Sequence, residues 1–325
     1  MKTIFSIVFF LLIFSGTQAK VWRVNSTPGI DAPFKTAQQA HDSVAVVAGD
    51  TLYFESSGIG YGSLNMTKRL TLISTGWFLS ENQGLQYHVQ PALLNFISVQ
   101  ASAAGSVFHC NVNTINLQAG ANGCRIERCY FDYGGTDLTV SSSNNVIIQN
   151  FIRGSISLNF NTGSNLISNN IILQRIDTYN LTTSATVTNN VLNGSGSTGN
   201  TLHNLIFQSN IINKAATYTF QNCTVRNNIC ANTTLPAGDG NLNSQSMSAI
   251  FVNPNGTTDV AFTFIGGNNP AIGAGLNGIN CGAFGGASPF LLGLQPAIPA
   301  IYQLTVPATA SGATMNITFS TKSNN

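Results

Sequence analysis

Five charged side chains, Asp132, Asp137, Arg153, Arg175 and Asp177, stand close enough in the chain to be weighed as acid–base machinery. A pair of carboxylates on either side of a glycosidic bond is the usual equipment for breaking it. The chain repeats about every twenty residues, and each repeat advances about 4.8 Å if repeats stack strand on strand. Asp137 and Asp177 then fall two repeats apart in neighbouring columns, roughly 9–10 Å from each other, at the upper limit for an inverting pair. Asp132 and Arg153 share one column a single repeat apart, which sets them up to pair. These five are the catalytic candidates, and a solvated face carrying a salt bridge is the plainer reading of them.

Other chemistry has fewer parts. Calcium takes six to eight oxygen ligands, yet no two of the eleven acidic residues stack in one column on adjacent repeats. His109, Cys110, Cys124 and Cys129 lack the paired C-x-x-C spacing of a zinc site. No metal and no cofactor is expected. His41, His88 and His203 come without a serine nucleophile motif. Aromatic rings stack on the apolar faces of sugars, and Trp77, Phe78, Tyr87, Tyr130, Tyr133 and Tyr179 are the candidates for that role. Trp77 and Phe78, in the loop-like "STGWFLSENQG", are the binding candidates; Tyr130 is better explained by packing at a bend.

These residues are carried on a repeated phrase. "IIQNFI", "LISNNII", "VTNNVL", "FQSNII" and "VRNNIC" align Asn150, Asn170, Asn190, Asn210 and Asn228, with steps of 20, 20, 20 and 18. Cys129 and Cys110 extend the column backwards. Unbroken phase at this period marks a stacked solenoid. Three places before the column stand Val107, Ile126, Ile147, Ile167, Val187, Phe207 and Val225, and two places after it Val112, Phe131, Ile152, Ile172, Leu192, Ile212 and Cys230. One place before it the residues are polar: His109, Arg128, Gln149, Asn169, Asn189, Ser209 and Asn227. Short β-branched runs alternating in and out read as strands. Asparagine tolerates a left-handed bend, and stacked amides can hydrogen-bond to their copies above and below, so the column reads as a buried ladder. Cys110 and Cys129 read as packing residues of that ladder; a disulfide between them is within reach but badly aimed.

The columns resemble those of right-handed parallel β-helix proteins, the pectate-lyase-like architecture. "PFKTAQQAHDSVAVVAGDTLYF" (33–54) is similar to the entry segment of that group, with a helix capping the core, and "NPAIGAGLNGINCGAFGG" (269–286) to the exit segment of exported Bacteroidetes-type members. The resemblance implies an all-β solenoid. Lyases of that group hold calcium on several acidic groups near an arginine or lysine base, and those acidic clusters are missing here. A period of twenty between Gly49 and Gly285 allows about eleven or twelve coils. "LTVPA" (304–308) and "TMNITFS" (314–320) are expected to form a two-stranded tail.

Residues 1–19 read as a signal peptide: Lys2, an apolar stretch from Ile4 to Phe14, and "TQA" as cleavage site. Residues 20–290 are assigned to the capped solenoid and 291–325 to the tail. Only 7% of the chain is charged and 43% is apolar, which argues against disorder. A net charge of +2 gives no reason to expect nucleic acid or an anionic membrane, and no segment spans a bilayer. The expectation is a secreted or cell-surface module, structural or glycan-binding, with polysaccharide as partner and no recognisable catalytic site. The competing reading is a polysaccharide lyase or glycosidase. A purely structural surface-layer or stalk component is the third.

Overall fold

Inward and outward residues alternate along strands of two to seven residues, too short to bury a core alone, so each coil is completed by the next. In the computed structural model, which describes residues 19–159, 161–179, 182–194, 200–214, 217–309 and 314–323, these strands pair in parallel along three faces of one solenoid. The signal-peptide assignment lies outside the described residues, Ala19 excepted. The first face has ten strands, from Val21–Val24 through Thr51–Phe54, Thr71–Ile73, Val107–His109 and Asn165–Ser168 to Thr224–Arg226. The second face carries two-residue strands such as Tyr130–Phe131, Phe151–Ile152, Ile171–Ile172 and Ile211–Ile212. The third is built from Thr136–Val140, Ser155–Leu158 and Ile176–Thr178, which join the long strand Asn111–Leu117. Helix Ala37–Asp42 caps the entry, with the Thr36 hydroxyl accepting from the Gln39 N–H. Among the described residues no helix is long and apolar enough to cross a membrane.

The ladder runs along the corner between the first two faces. Asn170 Oδ1 accepts from the Asn150 N–H and from Asn150 Nδ2, both at 2.9 Å, and its own Nδ2 donates to Ile147 O at 2.9 Å. Asn190, Asn210 and Asn228 repeat the pattern, and Asn241 continues it one rung further. Every amide of this buried row is satisfied by a copy of itself and by a carbonyl one coil back, as buried polar groups require. Towards the entry the Cys129 N–H donates to Asn150 Oδ1 at 2.8 Å and the Cys110 N–H to Cys129 Sγ at 3.3 Å; both thiols are free. A second, shorter ladder joins Cys124, Asn145 and Asn165.

Four expectations need correcting. The left-handed residue of the bend is not the ladder residue but the one before it: Arg128, Gln149, Asn169, Asn189, Ser209 and Asn227 all have φ between 52° and 57°. The ladder side chain must point inward, and the turn that aims it falls on its neighbour. In the first of the seven aligned repeats the inward residue is Phe108, paired with Ile126, and not Val107; that corner is one residue shorter. The tail strands are Ala300–Thr305 and Thr318–Lys322, antiparallel, several residues off the expected bounds. The stack also ends after ten strands on its first face, short of eleven or twelve coils.

It ends early because the chain turns back. Residues 246 to 295 leave the stack and run along its outside, over the ladder corner, as a strap. The column one place after the ladder, Tyr130, Phe151, Ile171, Val191, Ile211 and Ile229, faces away from the core but is buried under Phe251, Phe262, Ala271, Cys281 and Ala283. The polar column before the ladder fastens the same strap. Gln149 Nε2 donates to Pro289 O at 2.6 Å, Asn169 Nδ2 to Gly285 O at 2.7 Å, and Asn189 Nδ2 to Asn280 O at 2.9 Å. Ser209 Oγ accepts from the Leu276 N–H at 3.0 Å. Gly282, at φ 78°, lies so close that a Cβ would come within 2.6 Å of Ile211 Cδ1. The exit-like segment is therefore a docked cover and not further coils.

Candidate functional site

Two of the predicted carboxylates are paired. Arg153 Nη1 donates to Asp132 Oδ1 at 2.6 Å, and the Tyr130 hydroxyl donates to the same oxygen at 3.0 Å. Arg175 Nε donates to Asp177 Oδ1 at 2.7 Å. Asp137 is 0% exposed, and its two oxygens accept from the N–H groups of Gly134 and Gly154, at 2.9 and 2.6 Å. A Cβ at Gly154 would fall 2.0 Å from Gly135 O, so only glycine lets the backbone reach this carboxylate. Burial pushes the Asp137 carboxyl up to about 6 against the pull of those hydrogen bonds. The neighbouring-column placement fails: the register shifts between Thr136 and Leu138, and Asp177 lines up with Ser157 and Thr139. Asp137 fastens a bend.

Trp77 and Phe78 pack inward on the outer column. The Trp77 ring stacks on Tyr130 with centroids 4.0 Å apart, and Phe78 meets Tyr130 and Phe151 edge-on at 5.3 and 4.9 Å. Tyr133 and Tyr179 are exposed, and Tyr87 lines a cavity taken up below. His88 Nδ1 lies 2.9 Å from Ser56 Oγ, but that hydroxyl donates to Gln90 O at 2.5 Å, so it does not offer its hydrogen to the ring. Among the described residues no group of three or more histidine, cysteine, aspartate or glutamate side chains could hold a metal ion.

What strands and strap do create is a groove. One outward row of the first face runs Tyr53, Ile73, His109, Glu127, Ile148, Ser168, Thr188, Gln208, Arg226, one residue per strand. The returning chain forms a wall beside it. Towards the far end a cavity of about 390 Å³ is lined by Ser168, Asn169, Thr188, Asn189, Gln208 and Asn277 among others, with no charged residue. At the entry end a cavity of about 410 Å³ lies between Tyr53 and residues 296–304, the approach to the tail and its first strand. Between them sit the charges of the row. Arg125 Nε pairs with Glu127 at 2.5 Å, Arg128 Nε approaches Glu127 at 3.8 Å, and Arg128 Nη1 donates to Gln295 O in the strap at 3.3 Å. His109 Nδ1 lies 3.1 Å from Glu127 O, and burial lowers the imidazole pKa, favouring the neutral ring.

The sequence reading missed this groove. Its floor was visible as the residue two places before the ladder, polar from Ser168 to Arg226, but its wall required knowing that the chain returns. The arrangement offers hydroxyls and amides at about 4.8 Å intervals to an extended ligand. It offers a single carboxylate, already held between arginines. No known family, characterised protein or solved structure matches the chain, so the functional reading rests on this geometry.

Proposed function

We propose that this protein is an exported, surface-facing solenoid that holds a polysaccharide along the strap-lined groove without cleaving it. The observation that carries the reading is that eight of the eleven acidic residues are engaged within the chain, Asp31, Glu81 and Asp239 being the exposed remainder. Of eleven, Asp42, Glu55, Glu127, Asp132 and Asp177 are paired with basic side chains. Asp50, Asp137 and Asp259 are bonded to N–H donors of the chain itself. Acid–base cleavage of a glycan needs a carboxyl of tuned acidity that touches the substrate, and the two carboxyls that burial raises, Asp137 and Asp259, have no exposed surface. The amide and hydroxyl floor, by contrast, supplies both donors and acceptors, which is what sugar hydroxyls require.

The purified protein, incubated with a panel of neutral and acidic polysaccharides, is expected to retard or bind some of them and to release no products. Ser168→Tyr, which fills the groove, is expected to remove the binding. Unsaturated or reducing-end products that disappear in Asp177→Ala would replace this reading with the lyase or glycosidase one. Neither binding nor turnover, with self-assembly instead, would favour a structural surface component.

A further inference from the structure

Resting on the groove reading, we infer that its ligand is an uncharged polysaccharide bearing apolar substituents, such as O-acetyl groups, and that the entry-end cavity reads them. The cavity is lined by Tyr53, Gln86, Tyr87, His88, Pro296 and Ile298, with Pro299, Ile301 and Leu304 beyond, and no carboxylate, lysine or arginine among them. A uronate or sulfate there would lose its water with no carboxylate-pairing lysine or arginine to replace it. The same holds at the opposite cavity, whose lining has no ionisable side chain.

The walls decide the rest. Proline, isoleucine and leucine side chains offer no hydrogen bonds, so a bare sugar hydroxyl pressed against them is penalised. A methyl group is rewarded by the area it buries. Two tyrosines line the site as well, and each can stack on an apolar face and still present a hydroxyl. Ser74 and Thr75 also line it, but both are buried with their hydroxyls engaged within the chain. Tyr87 is 52% exposed, and its backbone N–H donates to Ile301 O at 2.8 Å, which ties its loop to the tail strand. The Gln86 side chain is held by the bond from Nε2 to His88 O at 2.8 Å, leaving Oε1 as an acceptor. The volume, about 410 Å³, falls in the range of small-molecule sites. Tyr53 belongs to the same outward row as Ser168, five strands or about 24 Å away, so an extended chain reaching both cavities passes Glu127, already paired with Arg125, between them.

The test is a paired titration: acetylated glucomannan oligosaccharides long enough to span that distance, and the same preparation after alkaline deacetylation. The acetylated form is expected to bind about 4- to 15-fold tighter, the effect of burying one or two methyl-sized groups. Tyr87→Ala, at an exposed side chain, and Ile298→Trp, filling the cavity from the other wall, are each expected to cost the acetylated form more than the deacetylated one and so to bring the difference below about 2-fold. Equal affinity for the two forms, or a Tyr87→Ala loss shared equally by both, would overturn the inference and leave the groove reading standing. Binding of neither form, with the protein folded, would bring down the groove reading itself.

Discussion

The corner under the strap and the third face are both parallel stacks of short strands, and their outward rows are opposites. At the corner the outward row is Tyr130, Phe151, Ile171, Val191, Ile211 and Ile229, and all six are buried. On the third face the row is Asn65, Ser98, Asn116, Thr139, Ser157 and Asp177, small and polar throughout. Both rows point away from the main core. The difference lies in what the chain does later: directly after the ladder, a stretch of about fifty residues comes back to cover one row and leaves the other alone. An outward column that stays apolar on every rung thus signals a second layer, since a strand with both sides buried has no reason to alternate.

Breaking that contrast has its largest expected effect at Phe151, which is 0% exposed although it faces outward. Phe151→Ala should cost about 3–5 kcal/mol, as for a core phenylalanine; a change near zero in denaturant unfolding would mean that the strap does not pack as a core. Asn170→Ala, inside the ladder, should cost about 2–4 kcal/mol, because it leaves the Asn150 N–H buried without a partner and takes one hydrogen bond each from the Asn150 amide and Ile147 O. Faster amide exchange confined to residues around 147–150 is the accompanying signature.

Asp137 adds a pH dependence of smaller size. Its folded-state pKa of about 6 lies above its ordinary 3.8, so between those values the folded protein binds the extra proton. Its contribution therefore weakens the fold as pH rises from about 4 to about 6 and levels off above, by about 2–3 kcal/mol in all. In Asp137→Asn that component should vanish from the stability–pH profile; an unchanged profile would show that the carboxyl titrates normally. The smallest effect belongs to the bare face, where Thr139→Ala should stay within about 0.5 kcal/mol. A loss as large as that at Phe151 would reveal an unsuspected cover there.

The ladder was legible because its residues must be chemically alike. A buried amide that bonds its own copy permits little variation, and Asn150, Asn170, Asn190 and Asn210 keep strict spacing for that reason. The bend was less legible: Arg128, Gln149 and Ser209 occupy left-handed backbone positions that asparagine or glycine would have announced. The second ladder escaped notice because Asn145 and Asn165 give way to Ala185 and Leu205, and two rungs make no pattern. Trp77 and Phe78 looked like a ligand platform because loop aromatics carry no periodicity. Only coordinates could show their rings lying on Tyr130 and Phe151.

By itself the sequence determined the repeat, the inward columns and the parallel stacking, because these follow from contacts between residues twenty apart that must match at every rung. Tertiary structure alone decided where the stack stops, which outward row is covered, and that a groove lies beside the strap. Those depend on one long excursion, residues 246 to 295, whose contacts with Gln149, Asn169, Asn189 and Phe151 span between roughly ninety and one hundred and forty residues and occur once each. A contact made once leaves no period to read.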